Sequence, residues 1–150
     1  MDEAIRRILR ECSRIAVVGL SDRPWRPSHR VARYLLEHGY DVIPVNPQAH
    51  EILGRRCYPA LIAVPGPVDL VDIFRRAEHI PGIVDEAIRI GARAVWMQSG
   101  LADEASAERA RRAGLWVVMD RCIMIEHGRH GAEVERRHRS DEPHEKKRES

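Results

Sequence analysis

A doubly wound α/β domain built on a parallel sheet is the fold this sequence predicts, and three observations predict it. Short aliphatic runs recur along the chain, the first being Ile15-Ala16-Val17-Val18. Stretches with apolar residues at helical spacing lie between them. Those stretches end at glycines, as at Gly39, Gly91 and Gly114, where helix C-termini favour that residue. Runs that are apolar at every position, not at alternate ones, suit strands covered on both faces, which is the condition of a parallel sheet.

Taken in order, Ile5, Ile8, Leu9 and Cys12 predict an opening amphipathic helix, and Ile15 to Val18 the first strand, ending at Gly19. Pro27-Ser28 offers a helix start with Ser28 as N-cap, and Val31, Ala32, Leu35 and Leu36 form the stripe of the first crossover helix. Asp41 to Val45 reads as a second strand, in which Pro44 cannot donate to a ladder and must sit at an end or on an unpaired side. Val68 to Phe74 predicts a third strand, Ile80 to Ile90 a helix, Ala94 to Met97 a fourth strand, Asp103 to Ala113 a helix and Leu115 to Met119 a fifth strand. From Gly128 onward charged residues and histidines displace the aliphatics, so the domain is expected over residues 1–127 and a disordered or loosely helical tail over 128–150.

Composition narrows the function. With 150 residues the chain suits a single core. Lys plus Arg is 25 against 23 for Asp plus Glu, a balance that provides no field to gather nucleic acid. Cys12, Cys57 and Cys122 are odd in number and lack a CxxC spacing, which argues against a disulfide framework or a zinc knuckle and for a reducing, cytoplasmic setting. No apolar run is long enough to span a membrane.

Ligands of open parallel sheets bind beyond the carboxyl ends of the strands. The loop from Gly19 to Ser28 carries one glycine, a hydroxyl at Ser21 and the guanidinium groups of Arg23 and Arg26, and it feeds a helix N-terminus, a natural phosphate seat. The dinucleotide fingerprint GxGxxG is broken there, since Ser21 and Pro24 occupy its second and third glycine positions. The acid expected on a ribose diol after the second strand is replaced by Asn46-Pro47, and a neutral amide tolerates a ribose phosphate that a carboxylate would repel.

Gly19-Leu20-Ser21, Gly39-Tyr40-Asp41-Val42-Ile43-Pro44-Val45-Asn46-Pro47, Val68 to Arg75, Val95-Trp96-Met97-Gln98 and Val118-Met119-Asp120-Arg121-Cys122 together resemble the CoA-binding domain family. These are small stand-alone proteins similar to the N-terminal domain of the succinyl-CoA synthetase α subunit. The resemblance runs in order from about Ile15 to His127. It implies a Rossmann-like three-layer fold, a five-stranded parallel sheet of order 3-2-1-4-5 with helices on both faces, holding coenzyme A or an acyl-CoA. It implies that Gly19, Leu20, Ser21 and Asp22 take the nucleotide and phosphates, with Arg26 as phosphate partner, and that Asn46 and Pro47 bound the adenosine. Val71, Asp72, Phe74 and Arg75 would flank the pantetheine, and Gln98 with Ser99 would close the far side.

The thiol-nucleophile reading of Asp120, Arg121, Cys122 and His127 is weaker than a structural one, in which Arg121 pairs with Asp120 or Glu126 and Cys122 acts as a small buried hydrophobe. Related ligases phosphorylate a histidine in a second domain that the single expected domain lacks, so binding without catalysis is the expectation. The tail histidines, His127, His130, His138 and His144, read as solvated, and no metal is expected. Trp96 and Trp116 read as packing residues, and Trp25 as the aromatic able to cover an adenine. Two other functions stay open, an NAD(P)-dependent enzyme or redox sensor and a regulatory partner of an acyl-CoA ligase; so does self-association.

Overall fold

Five short strands follow from the aliphatic runs. In the computed structural model they are β1 (Arg14–Val18), β2 (Asp41–Val45), β5 (Leu70–Ile73), β6 (Ala94–Met97) and β7 (Trp116–Val118). Between β2 and β5 lies a small antiparallel hairpin, β3 (Glu51–Ile52) with β4 (Arg55–Arg56). The helices are α1 (Asp2–Glu11), α2 (Pro27–Glu37), α3 (Ile80–Arg89), α4 (Glu104–Arg112) and α5 (Ile123–Asp141). The structure describes the backbone of residues 1–141 and, beyond Gly131, the side chain of Val134 alone. Among the described residues no helix is long and apolar enough to cross a membrane.

The sheet is parallel throughout, in the order β2-β1-β5-β6-β7. A parallel bridge from Val45 to Tyr58 adds a vestigial position outside β2. Counting Tyr58 as the third position makes the order 3-2-1-4-5 with β7 sixth, so the segment expected as the third strand, Val68 to Phe74, lies inside the sheet beside β1. Pro44 pairs with Val17 in register, and its carbonyl accepts from the Tyr58 N–H at 3.0 Å on the outer side. Neighbouring backbone groups of one residue in a parallel strand face the same way, so the N–H that Pro44 lacks would have pointed outward too, and the β1 ladder loses nothing.

Two apolar layers sandwich the sheet. Ile15, Val17, Leu70 and Trp96 meet α1, α2 and α5 on one face through Ile8, Leu35 and Val134 among others. On the other face Val18, Val71, Val95 and Met97 meet α3 and α4 through Val84, Ala87, Ala107 and Ala110. From β1, then, the chain leaves over one face through α2. It returns to β1's other neighbour along the opposite face, past Leu61 and Val64. That reversal opens a crevice at the carboxyl ends of β1 and β5.

α5 passes straight through Gly128, where the domain boundary was expected. Its inward stripe is Ile123, His127, His130 and Val134, spaced four, three and four residues apart, with His127 1% and Val134 2% exposed. His127 is held by the Tyr34 hydroxyl at 2.9 Å from Nδ1 and lies edge-on to Tyr34, His38 and Tyr40. Residues 142–150, the remainder of the expected tail, lie outside the described residues.

Candidate functional site

Gly19 ends β1 with φ +90°, and a β-carbon there would stand 2.6 Å from the Phe74 carbonyl oxygen and 2.8 Å from Arg75 Cδ. Only glycine lets the loops after β1 and β5 approach so closely. The turn that follows is knitted internally. Ser21 N–H donates to Ser28 Oγ at 3.0 Å, Arg23 N–H to Ser21 Oγ at 3.1 Å, and Arg26 N–H to the Arg23 carbonyl at 3.0 Å. Ser28 is therefore not the N-cap expected of it; Arg26 holds that position with Pro27 at the first helical residue. With its hydroxyl turned back to Ser21, Ser28 leaves the α2 N-terminus without a side-chain cap, and no acidic residue stands in its first turn. The positive end of the helix thus faces the cleft neither capped nor neutralised.

Asn46 joins the second loop to the first. Its Nδ2 donates to the Leu20 carbonyl at 2.9 Å, and its Oδ1 accepts from Gln48 N–H at 2.8 Å. Between the two loops lies a cleft of about 570 Å³, lined by Gly19, Ser21, Asp22, Arg26, Asn46 and Phe74 of the expected residues. Arg23, Pro27 and Ser28, from the loop expected to seat a phosphate, line it as well, and Gln48 and Ala49, which were not expected there, complete it. Gln48 and Ala49 follow Asn46-Pro47, and an asparagine that turns the chain back two residues later was the available signal.

Past Phe74 a second chamber of about 480 Å³ continues along the rim, sharing Pro27 and Phe74 with the first. Val31, Phe74, Leu101 and Cys122 make its walls mainly apolar, while Gln98, Ser99 and Arg75 edge it. Pro47 and Arg75 border a smaller hollow of about 260 Å³ on the α3 side. Trp25 is 69% exposed and lines none of these three hollows.

Three expected residues do not reach the rim with their side chains. Leu20 and Val71 are fully buried in opposite apolar layers, and Asp72 is fully buried in mid-strand. The reason is that β5 is covered on both faces, so only its end, Phe74-Arg75, emerges. Asp72 accepts a hydrogen bond from Gln98 Nε2, and Gln98 Oε1 accepts from Ile123 N–H at 3.3 Å. Burial pushes the Asp72 carboxyl up to about 7, against the pull of the Gln98 amide. This chain of bonds fixes Gln98 at the chamber's edge and ties it to the start of α5.

The cysteines divide by environment. Burial pushes the Cys12 thiol up to about 12 and raises that of Cys57, so both behave as packing groups. Cys122 is half-buried at the chamber wall. Neither expected partner of Arg121 pairs with it. Asp120 accepts from Gly100 N–H at 2.7 Å, Glu126 lies 3.3 Å from Arg129, and the Arg121 carbonyl takes the Trp96 indole N–H at 2.8 Å. Trp96 is fully buried, and the Trp116 ring has the guanidinium groups of Arg7 and Arg93 5.2 and 5.4 Å from its centroid, so both are packing residues.

Comparison with known proteins adds to this geometry. The family model described as a CoA binding domain matches residues 13–128. The uncharacterized protein YneT of Bacillus subtilis is 43% identical over 123 residues, which are 82% of this chain and 91% of YneT. A solved structure described as a hypothetical protein from Pyrococcus horikoshii is 44% identical with a TM-score of 0.82, over 86% of this chain and 91% of that one. The ADP-forming acetate–CoA ligase II of Archaeoglobus fulgidus is 33% identical over 103 residues, 65% of this chain but 15% of the ligase.

Proposed function

The chain belongs to the CoA-binding domain family, and from that premise we propose that it binds coenzyme A or an acyl-CoA as a cytoplasmic binding module without catalysis of its own. One observation carries the reading: a polar cleft at an uncapped helix N-terminus runs past Phe74 into a mainly apolar chamber. A nucleotide with phosphates, joined to a long thiol arm, has that same division.

In this reading the backbone of Gly19, Leu20, Ser21 and Asp22 takes the phosphates, and Arg26, joined by Arg23, supplies positive charge. Asn46 and Pro47 bound the adenosine. The arm passes Phe74 and Arg75, and Gln98 with Ser99 closes the chamber at the thiol or acyl end. Val71 and Asp72 serve from beneath, as the floor that sets Phe74 and Gln98. The apolar walls suit an acyl thioester better than a charged nicotinamide, which favours CoA over NAD(P). Kinship with the acetate–CoA ligase supports a second reading, in which the module serves a ligase as a partner.

Thermal unfolding with CoA, acetyl-CoA, NADH and NADPH tests the proposal. A CoA species at a hundredfold excess over its Kd raises stability by about 2.7 kcal/mol. Gly19→Ala, measured against its own unliganded melting curve, abolishes that rise by forcing the Phe74 carbonyl and Arg75 away. Stabilisation by NADH or NADPH with none by CoA overturns the reading.

A further inference from the structure

Away from the clefts, the first turn of α1 meets the first two turns of α5. The Asp2 carboxylate, the Glu126 carboxylate and the His130 imidazole each bring a ligand atom there, all within 4.8 Å of one another. Glu126 and His130 stand four residues apart and so share a helix face. Glu126 is 4% exposed, and the His130 side chain is 12% exposed. His130 Nε2 is shielded from solvent yet has no hydrogen-bond partner among the described residues. At 4.0 Å, Glu126 Oε1 is too far to serve as one. A buried polar nitrogen left this way destabilises the fold.

We infer that Asp2, Glu126 and His130 form a binding site for a divalent transition-metal ion of the zinc class. The imidazole selects this class over magnesium or calcium, which prefer all-oxygen sets. Two carboxylates balance the ion's charge and offset the positive ends of the two helices that converge here. Zinc bonds of about 2.0–2.2 Å place tetrahedral ligand atoms about 3.4 Å apart, so Glu126 and His130, 4.0 Å apart, close by about 0.6 Å and no pair by more than about 1.4 Å. Asp2 is exposed in a first helical turn and supplies that movement. Arg129, now 3.3 Å from both Glu126 oxygens, has a side chain 55% exposed and swings into water when the ion enters. A water molecule completes the shell, and the ion clamps α1 to α5.

The full chain, stripped with chelator, is titrated with ZnCl2 by calorimetry and with CoCl2 by visible absorption. One ion binds per chain, the cobalt complex shows the visible bands of a low-coordinate nitrogen–oxygen site, and the melting temperature rises. Glu126→Gln and His130→Ala lower affinity roughly tenfold or more, while circular dichroism reports whether each has kept its helices. Asp2→Asn, at an exposed position that folding does not depend on, weakens binding as well. A chain carrying His138→Ala and His144→Ala binds as the parent does. The inference is overturned if the parent chain binds neither ion, if Asp2→Asn and folded His130→Ala bind with parental affinity, or if removing His138 and His144 abolishes binding.

Discussion

Asp72 shows how a single residue can be legible in type and not in place. The family resemblance puts Asp72, the acid in Leu70-Val71-Asp72-Ile73, beside the pantetheine, yet the carboxyl is sealed between Gln98 and the sheet. One of its oxygens has no hydrogen-bond partner among the described residues. Its folded pKa, raised to about 7 by burial, lies above the ordinary carboxylate value near 3.8. The native state therefore holds a proton that the unfolded chain releases between those two values, and stability falls as pH rises from about 4 to about 7. The loss is on the order of 4 kcal/mol. Asp72→Asn removes the ionisation, so its melting temperature relative to the parent protein climbs across that interval; a difference constant from pH 4 to pH 8 contradicts the assignment. Gly19 was readable from sequence as a turn, because it ends an aliphatic run. What makes it irreplaceable, the nearness of the Phe74 carbonyl, depends on a strand far along the chain and was not.

At the scale of elements, legibility followed side-chain chemistry. The five ladder strands and four helices wrote their burial in aliphatics, and their expected bounds agree with the structure to within a few residues. The β3–β4 hairpin did not, since each of its strands has two residues and its turn places Leu53 at φ 55° ahead of Gly54 at 73°. A leucine carries none of the left-handed preference that marks such turns. α5 escaped for a different reason: two of the four positions on its inward stripe are histidines, which composition reads as solvent-facing. Tyr34, His38 and Tyr40 make a polar-edged aromatic bed for His127, and Val134 closes the far end of the stripe. If α5 belongs to the folded core, Val134→Ala costs about 2 kcal/mol through two lost methyl groups and the space they leave. Urea unfolding measures this, and a change below a few tenths of a kcal/mol would return the helix to the status of a tail.

For the whole molecule, topology does most to place the site. Because β1 sends the chain over one face to β2 and receives its other neighbour along the opposite face, the loops after β1, β2, β5 and β6 converge on one rim. Sequence alone located all four loops, since each follows a recognisable strand. It could not separate side chains at the rim from those one step below it: Leu20, Val71 and Asp72, which the family resemblance puts at the ligand, have their side chains fully buried. The most direct test of the central claim is the structure of the protein determined with acetyl-CoA at saturating concentration. The phosphates are expected between Gly19-Ser21 and the start of α2, the adenosine beside Asn46, and the arm passing Phe74 toward Gln98 and Ser99. A rim left empty under those conditions, or a ligand held on another surface, would contradict it.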